Sequence, residues 1–133
     1  MKKSILILLT ATFLVSCLND DSPKFGLEFL PIESAITPDT LTFGEIDTIS
    51  IKYNLINSCY SFNDLYYEIQ DTARVVAVRA SVQLDVSCQE IITEKEFKFT
   101  VLASQRQDYL FRFFKGFDAN GDSTFEEIAV PVK

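Results

Sequence analysis

From residue 25 onward, apolar and polar side chains alternate with a period of two, and no helical stripe of ten or more residues interrupts them. The stretch Thr48 to Leu55 shows the pattern most cleanly. Ile49, Ile51, Tyr53 and Leu55 share one face, while Ser50, Lys52 and Asn54 share the other. Phe97, Phe99 and Val101 alternate with Glu96, Lys98 and Thr100 in the same way. Tyr109, Phe111 and Phe113 form an apolar row opposite Arg112, and Ile128, Val130 and Val132 form another. Each stretch predicts a strand with one face on a core and one in water.

Three further strands read less cleanly. Leu65, Tyr67 and Ile69 make a short one; Val76, Val78, Ala80, Val82 and Leu84 make a long one with Arg79, Ser81 and Gln83 outward. Leu27 to Ile32 opens the domain, and Pro31 confines it to an edge or a bend because proline donates no ladder bond. Pro38-Asp39-Thr40 and Phe43-Gly44-Glu45 carry turn chemistry, and Asn120-Gly121 signals a two-residue hairpin turn. About seven strands at roughly 10–15-residue spacing predict two antiparallel sheets packed face to face. The expected fold is all-β: an immunoglobulin-like antiparallel β-sandwich spanning residues 25–133 as a single domain.

The first 24 residues follow a different rule. Lys2 and Lys3 precede an almost purely apolar run of 11 residues, Ile5 to Val15. That run is too short for a bilayer span, which needs about 20 residues, and has the build of an export leader. It ends Leu14-Val15-Ser16-Cys17, which resembles the lipobox of bacterial lipoproteins. The resemblance implies a signal peptide over residues 1–16, cleavage before Cys17, lipid on Cys17, and a lipidated polar tether over residues 17–24. Several acyl chains, at about 0.8 kcal/mol per buried CH₂, anchor stably where one does not. Leu18 stands where enteric inner-membrane lipoproteins carry a retention aspartate. Asp20-Asp21 resembles the export signal of surface lipoproteins in Bacteroidota, with a plain solvated linker as the other reading. The expected location is the outer membrane, lipid-anchored, with the domain facing the surface or the periplasm.

Composition narrows the chemistry. Removing sixteen leader residues leaves 117, enough for one modest core, and 47% hydrophobic residues place the chain in the globular class. Loss of Lys2 and Lys3 takes the net charge from −7 to −9, which opposes nucleic-acid binding and anionic headgroups alike. The chain has no histidine, so the usual general base and the commonest metal ligand are missing. No serine elbow, phosphate-binding loop or zinc-spaced set occurs. Asp118-Ala119-Asn120-Gly121-Asp122 suggests a calcium loop, but Ser123 and Ala129 occupy the positions that need glycine and glutamate. No catalytic residue, metal or cofactor is therefore expected.

With Cys17 committed to lipid, Cys59 and Cys88 remain as a pair in an oxidising compartment. Both follow strands, so the expectation is a structural disulfide at one end of the sandwich. In antibody domains the bridge instead crosses the centre, so the likeness is to the broad architecture. Tyr60-Ser61-Phe62 is expected in a loop, and Phe114 and Phe117 flank the hairpin. Exposed aromatics there can anchor a protein partner or stack on sugar rings.

The leader, the Pro38–Glu45 segment, the cysteine pair and the stretch Asp108–Gly116 together resemble small Bacteroidota lipoproteins of unknown function with an immunoglobulin-like domain. That resemblance implies no catalytic residues. The leading expectation is a membrane-anchored, non-catalytic module for a protein partner. The alternative is a glycan-binding accessory using Tyr60, Phe62, Phe114 or Phe117, and the third is a hydrolase with carboxylate chemistry.

Overall fold

The computed structural model describes residues 21–133; the leader, Cys17 and the residues up to Asp20 lie outside the described residues. Among these the chain forms eight strands and no helix: β1 (Phe25–Leu30), β2 (Ile32–Ile36), β3 (Ile46–Leu55), β4 (Tyr60–Gln70), β5 (Ala73–Gln83), β6 (Thr93–Leu102), β7 (Tyr109–Phe117) and β8 (Ser123–Val130). The smaller sheet has the order β2-β3-β6. The larger is built around β5, with β4 along one side. Along the other side β1 pairs with the second half of β5 and β7 with the first half, and β8 lies outside β7. The result is the expected two-sheet, immunoglobulin-like sandwich.

Every pairing is antiparallel except β5 with β7. The exception follows from connectivity. The chain leaves β5 for β6 in the other sheet and then returns to β7, so two reversals make β7 run as β5 does. Alternation places Ile49, Ile51 and Tyr53 of β3 against Val76, Val78 and Ala80 of β5 and Tyr109, Phe111 and Phe113 of β7. Burying each large side chain of this kind contributes about 1.5–3 kcal/mol.

Tyr109 locks the β6–β7 crossing. Its hydroxyl accepts from the Ser104 amide at 2.9 Å and donates to the Leu102 carbonyl at 3.3 Å, the tyrosine corner of Greek-key sandwiches. Arg74, 4% exposed, lies 4.5 Å over the Tyr109 ring. Its guanidinium donates to the carbonyls of Asp71 and Ala73 and to Gln105 Oε1, so the buried charge is well provided with acceptors.

Several details depart from the sequence reading. The opening strand is two strands: the chain breaks at Pro31, and β1 joins the larger sheet while β2 joins the smaller. That switch accounts for eight strands instead of seven. Leu84 lies just past the end of β5 and is exposed. Asn120-Gly121 is not a two-residue turn. The Gly121 amide donates to the Asp118 carbonyl at 3.0 Å, and Asp118 also pairs with Asp122 across the loop. Gly121 has φ 84 while Asn120 does not enter the left-handed region, which makes a three-residue loop with its glycine after the turn. Asp118 Oδ1 accepts from the amides of Asn120 and Asp122, so the acidic loop satisfies itself. The Cys59–Cys88 disulfide, with Cα atoms 5.5 Å apart, ties the β3–β4 crossing to the β5–β6 crossing at one end.

Candidate functional site

A sheet face turned to water is normally polar. The smaller sheet obeys along its middle, where Thr48, Ser50, Lys52 and Asn54 stand outward beside Glu94, Glu96, Lys98 and Thr100, while Ile36, Ile46 and Leu102 are exposed towards the end where β3 begins. Ser50 donates to Glu96 at 2.6 Å, and Lys52 pairs with Glu94 at 3.1 Å. The larger sheet breaks the rule. Phe25, Leu27 and Phe29 of β1 face outward, because Gly26, Glu28 and Leu30 take the inward positions opposite Val82, Ala80 and Val78. Val75 and Ala77 of β5 also point outward, yet are buried.

The cover over Val75 and Ala77 is aromatic and incomplete, leaving an open groove of about 530 Å³. Val75, Ala77 and the buried Phe114 form its floor, and Phe29, Tyr66, Phe117 and Phe125 stand around it. The rings meet edge to face. Phe114 lies 5.2 Å from Phe117, 6.1 Å from Phe125 and 6.1 Å from Phe29, and Phe29 lies 5.5 Å from Tyr66. Such pairs contribute about 0.5–1.5 kcal/mol each beyond area burial, so the walls are fixed rather than collapsible.

A bulge in β7 brings Phe117 to this face. The register with β8 shifts between Phe114 and Gly116, where Gly116 has φ 114. Lys115 turns to the other side and donates to the carbonyls of Ile32 and Glu33 at 2.7 and 3.0 Å. Phe117, three positions after Phe114, then shares its face and is 61% exposed.

Polar groups line the two sides of the groove. The Tyr66 hydroxyl donates to Glu68 Oε2 at 2.7 Å, and the Gln70 amide donates to the same oxygen at 3.1 Å. The bond to Glu68 favours the neutral phenol and raises the Tyr66 pKa. Across the groove, Arg112 lies 4.4 Å over the Phe125 ring and donates to Glu127 at 3.0 Å. Beside Phe29 the larger sheet carries the Arg79–Asp64 ion pair, in which the Arg79 guanidinium holds the Asp64 carboxyl below its ordinary range.

The four aromatics selected from sequence therefore divide. Phe114 and Phe117 belong to the groove. Tyr60 and Phe62 do not, and they are not in a loop: β4 begins at Tyr60. Asn63 is an extra residue, since Phe62 pairs with Ala80 and Asp64 with Arg79. That bulge shifts the alternation and hides the first turn of the strand from a period-two reading. Phe62 packs at the open edge between the sheets, 36% exposed and stacked on Phe97 at 4.8 Å, and the Tyr60 hydroxyl donates to Glu28 at 2.7 Å. The bond to Glu28, and burial after it, raise the Tyr60 pKa. These two residues close the β4–β6 side of the sandwich, and no single platform of four rings exists.

A second, smaller cavity of about 320 Å³ opens on that same side near Arg74 and Tyr67. Among the described residues no group of three or more potential metal ligands converges. Glu68 is the one carboxylate lining the aromatic groove, whereas glycoside hydrolysis by carboxylates needs two across the bond. No protein-family model matches this chain, and neither does any curated protein or solved structure.

Proposed function

We propose that this chain is a lipid-anchored, non-catalytic module of the bacterial outer envelope whose sandwich engages a protein partner through the aromatic groove. The observation that carries this reading is the contrast between the two outward faces. The smaller sheet is polar and ion-paired along its middle and offers no groove with an aromatic wall, whereas the larger sets Phe29, Tyr66, Phe117 and Phe125 around a preformed apolar floor, with Phe25 and Leu27 exposed farther along β1. Exposed rings gathered around a groove suit an interaction site, and rings held by their neighbours lose little freedom on binding. The anchor side of the reading is supported by Leu14-Val15-Ser16-Cys17 after its apolar run.

Ala77→Arg fills the floor from the outer side without touching the core between the sheets. Proteins cross-linked to the anchored wild-type domain in intact cells should be lost in Ala77→Arg and kept in Lys98→Glu, on the opposite face. Equal recovery from both variants, with unchanged melting temperatures, overturns the assignment of the groove.

One observation favours a glycan as the second reading. Tyr66, Glu68, Gln70 and Arg112 stand beside the rings, and hydroxyl-rich ligands use that combination. Binding to immobilised oligosaccharides that disappears in Ala77→Arg would move the function there. Cys17 and its lipid remain part of the proposal, to be checked by the mass of the N-terminal peptide of the mature protein.

A further inference from the structure

The end of the sandwich where the chain enters β1 carries exposed aliphatic side chains on its loops. Ile56 lies in the β3–β4 crossing, and Leu84, Val86, Ile91 and Ile92 lie in the β5–β6 crossing; all are at least 44% exposed and Ile92 reaches 71%. The crossings are fastened to each other. Besides the Cys59–Cys88 disulfide, the Ser58 amide donates to the Gln89 carbonyl at 3.0 Å and the Gln89 amide to Ser58 Oγ at 2.8 Å. The entering chain joins the same platform, where the Leu84 amide donates to the Lys24 carbonyl at 2.8 Å. Phe25, 60% exposed, begins β1 alongside it.

We infer that this disulfide-tied end docks on the bilayer surface, with Ile56, Val86, Ile91 and Ile92 entering the headgroup layer. The inference rests on the reading that Cys17 carries lipid. Lys24 lies seven positions after Cys17, a reach of at most about 25 Å when fully extended. A strand of 11 residues such as β5 is about 36 Å long, so the lipid cannot draw the opposite end onto the membrane. Exposed aliphatics also occur at the other end, on Ile46, Ile69 and Leu102, but the tether holds only the disulfide-tied end near the bilayer, and an intramolecular contact at that high effective concentration needs little intrinsic affinity. Charges of both signs ring the same end: Asp85 pairs with Lys24 at 3.6 Å and Glu94 with Lys52 at 3.1 Å, beside Glu90 and Lys95. The net charge of −7 on the whole chain favours a zwitterionic surface over an anionic one, more so at low salt.

The chain contains no tryptophan, so single reporters are unambiguous. Ile92→Trp reports the docking end, and Phe43→Trp reports the opposite end, where the Phe43 amide bonds to Lys133. Each full-length variant is purified with its lipid and placed in phosphatidylcholine vesicles carrying brominated acyl chains. The Ile92→Trp reporter should shift to the blue and be quenched roughly twofold more than the Phe43→Trp reporter, as expected for a side chain about 5–10 Å into the interface. Adding Val86→Asp and Ile91→Asp to the Ile92→Trp chain should abolish the difference. Equal, water-like emission from both reporters on a chain whose Cys17 lipid is confirmed by mass overturns the docking and leaves the anchor standing. Quenching that survives the two aspartates overturns the role of the aliphatics. A chain that bears no lipid on Cys17 and fails to float with the vesicles overturns anchor and docking together.

Discussion

Tyr109 shows how one hydroxyl holds two loops' worth of backbone. It bonds to Ser104 and Leu102 from a fully buried position, so Tyr109→Phe leaves those groups without their partner. The expected loss is about 1–2 kcal/mol, read as a lower urea midpoint with unchanged slope. The other tyrosines predict a pH dependence. Burial raises Tyr53 and Tyr67, and hydrogen bonds to Glu28 and Glu68 raise Tyr60 and Tyr66. For a raised pKa, the linked stability is fully present below the unfolded value of about 10 and is lost as pH rises through the folded values. Absorbance at the phenolate band should therefore climb late in the folded chain and coincide with alkaline unfolding. Asp64 behaves oppositely. Its lowered pKa gives stability present above about 3.9 and lost as pH falls through the folded value, a small effect for an exposed pair.

At the scale of elements, the two bulges decide what the site is made of. Gly116 sits at φ 114, where a side chain is strained, so Gly116→Ala should cost about 1–3 kcal/mol and move Phe117 off the groove face. Calorimetry gives the first effect, and loss of partner cross-linking gives the second. Reducing the Cys59–Cys88 bond, which closes a loop of 29 residues, should cost about 3–4 kcal/mol in the chain-entropy model. Denaturant unfolding of a Cys59→Ala, Cys88→Ala chain measures it. The regular strands were legible in the sequence because β3 and β6 alternate without a break and β7 does so from Tyr109 to Phe113. Tyr60 and Phe62 were misplaced because Asn63 interrupts the period, and Pro31 hid the exchange of sheets within one apolar stretch. The groove carried one readable sign. Val75-Val76-Ala77-Val78 is continuously apolar where a half-exposed strand would alternate, which signals burial on both faces. Nothing local linked that run to Phe29, Tyr66 or Phe125, which reach it only through strand pairing.

For the molecule as a whole, the proposed function and docking place anchoring and recognition on different surfaces. The chain enters β1 at the end that carries Ile56, Val86, Ile91 and Ile92, the aromatic groove lies on the broad face of the larger sheet, and the outward face of the smaller sheet looks the other way. A domain standing on its disulfide-tied end presents the groove sideways, open to a partner beside it in the envelope. The most direct test is a photo-cross-linking scan in intact cells, with a photoreactive side chain at Phe117, Ile92 or Lys98. A discrete protein adduct from Phe117, lipid adducts from Ile92 and neither from Lys98 is the predicted pattern. Protein adducts from Lys98 with none from Phe117 would contradict it and transfer recognition to the opposite sheet.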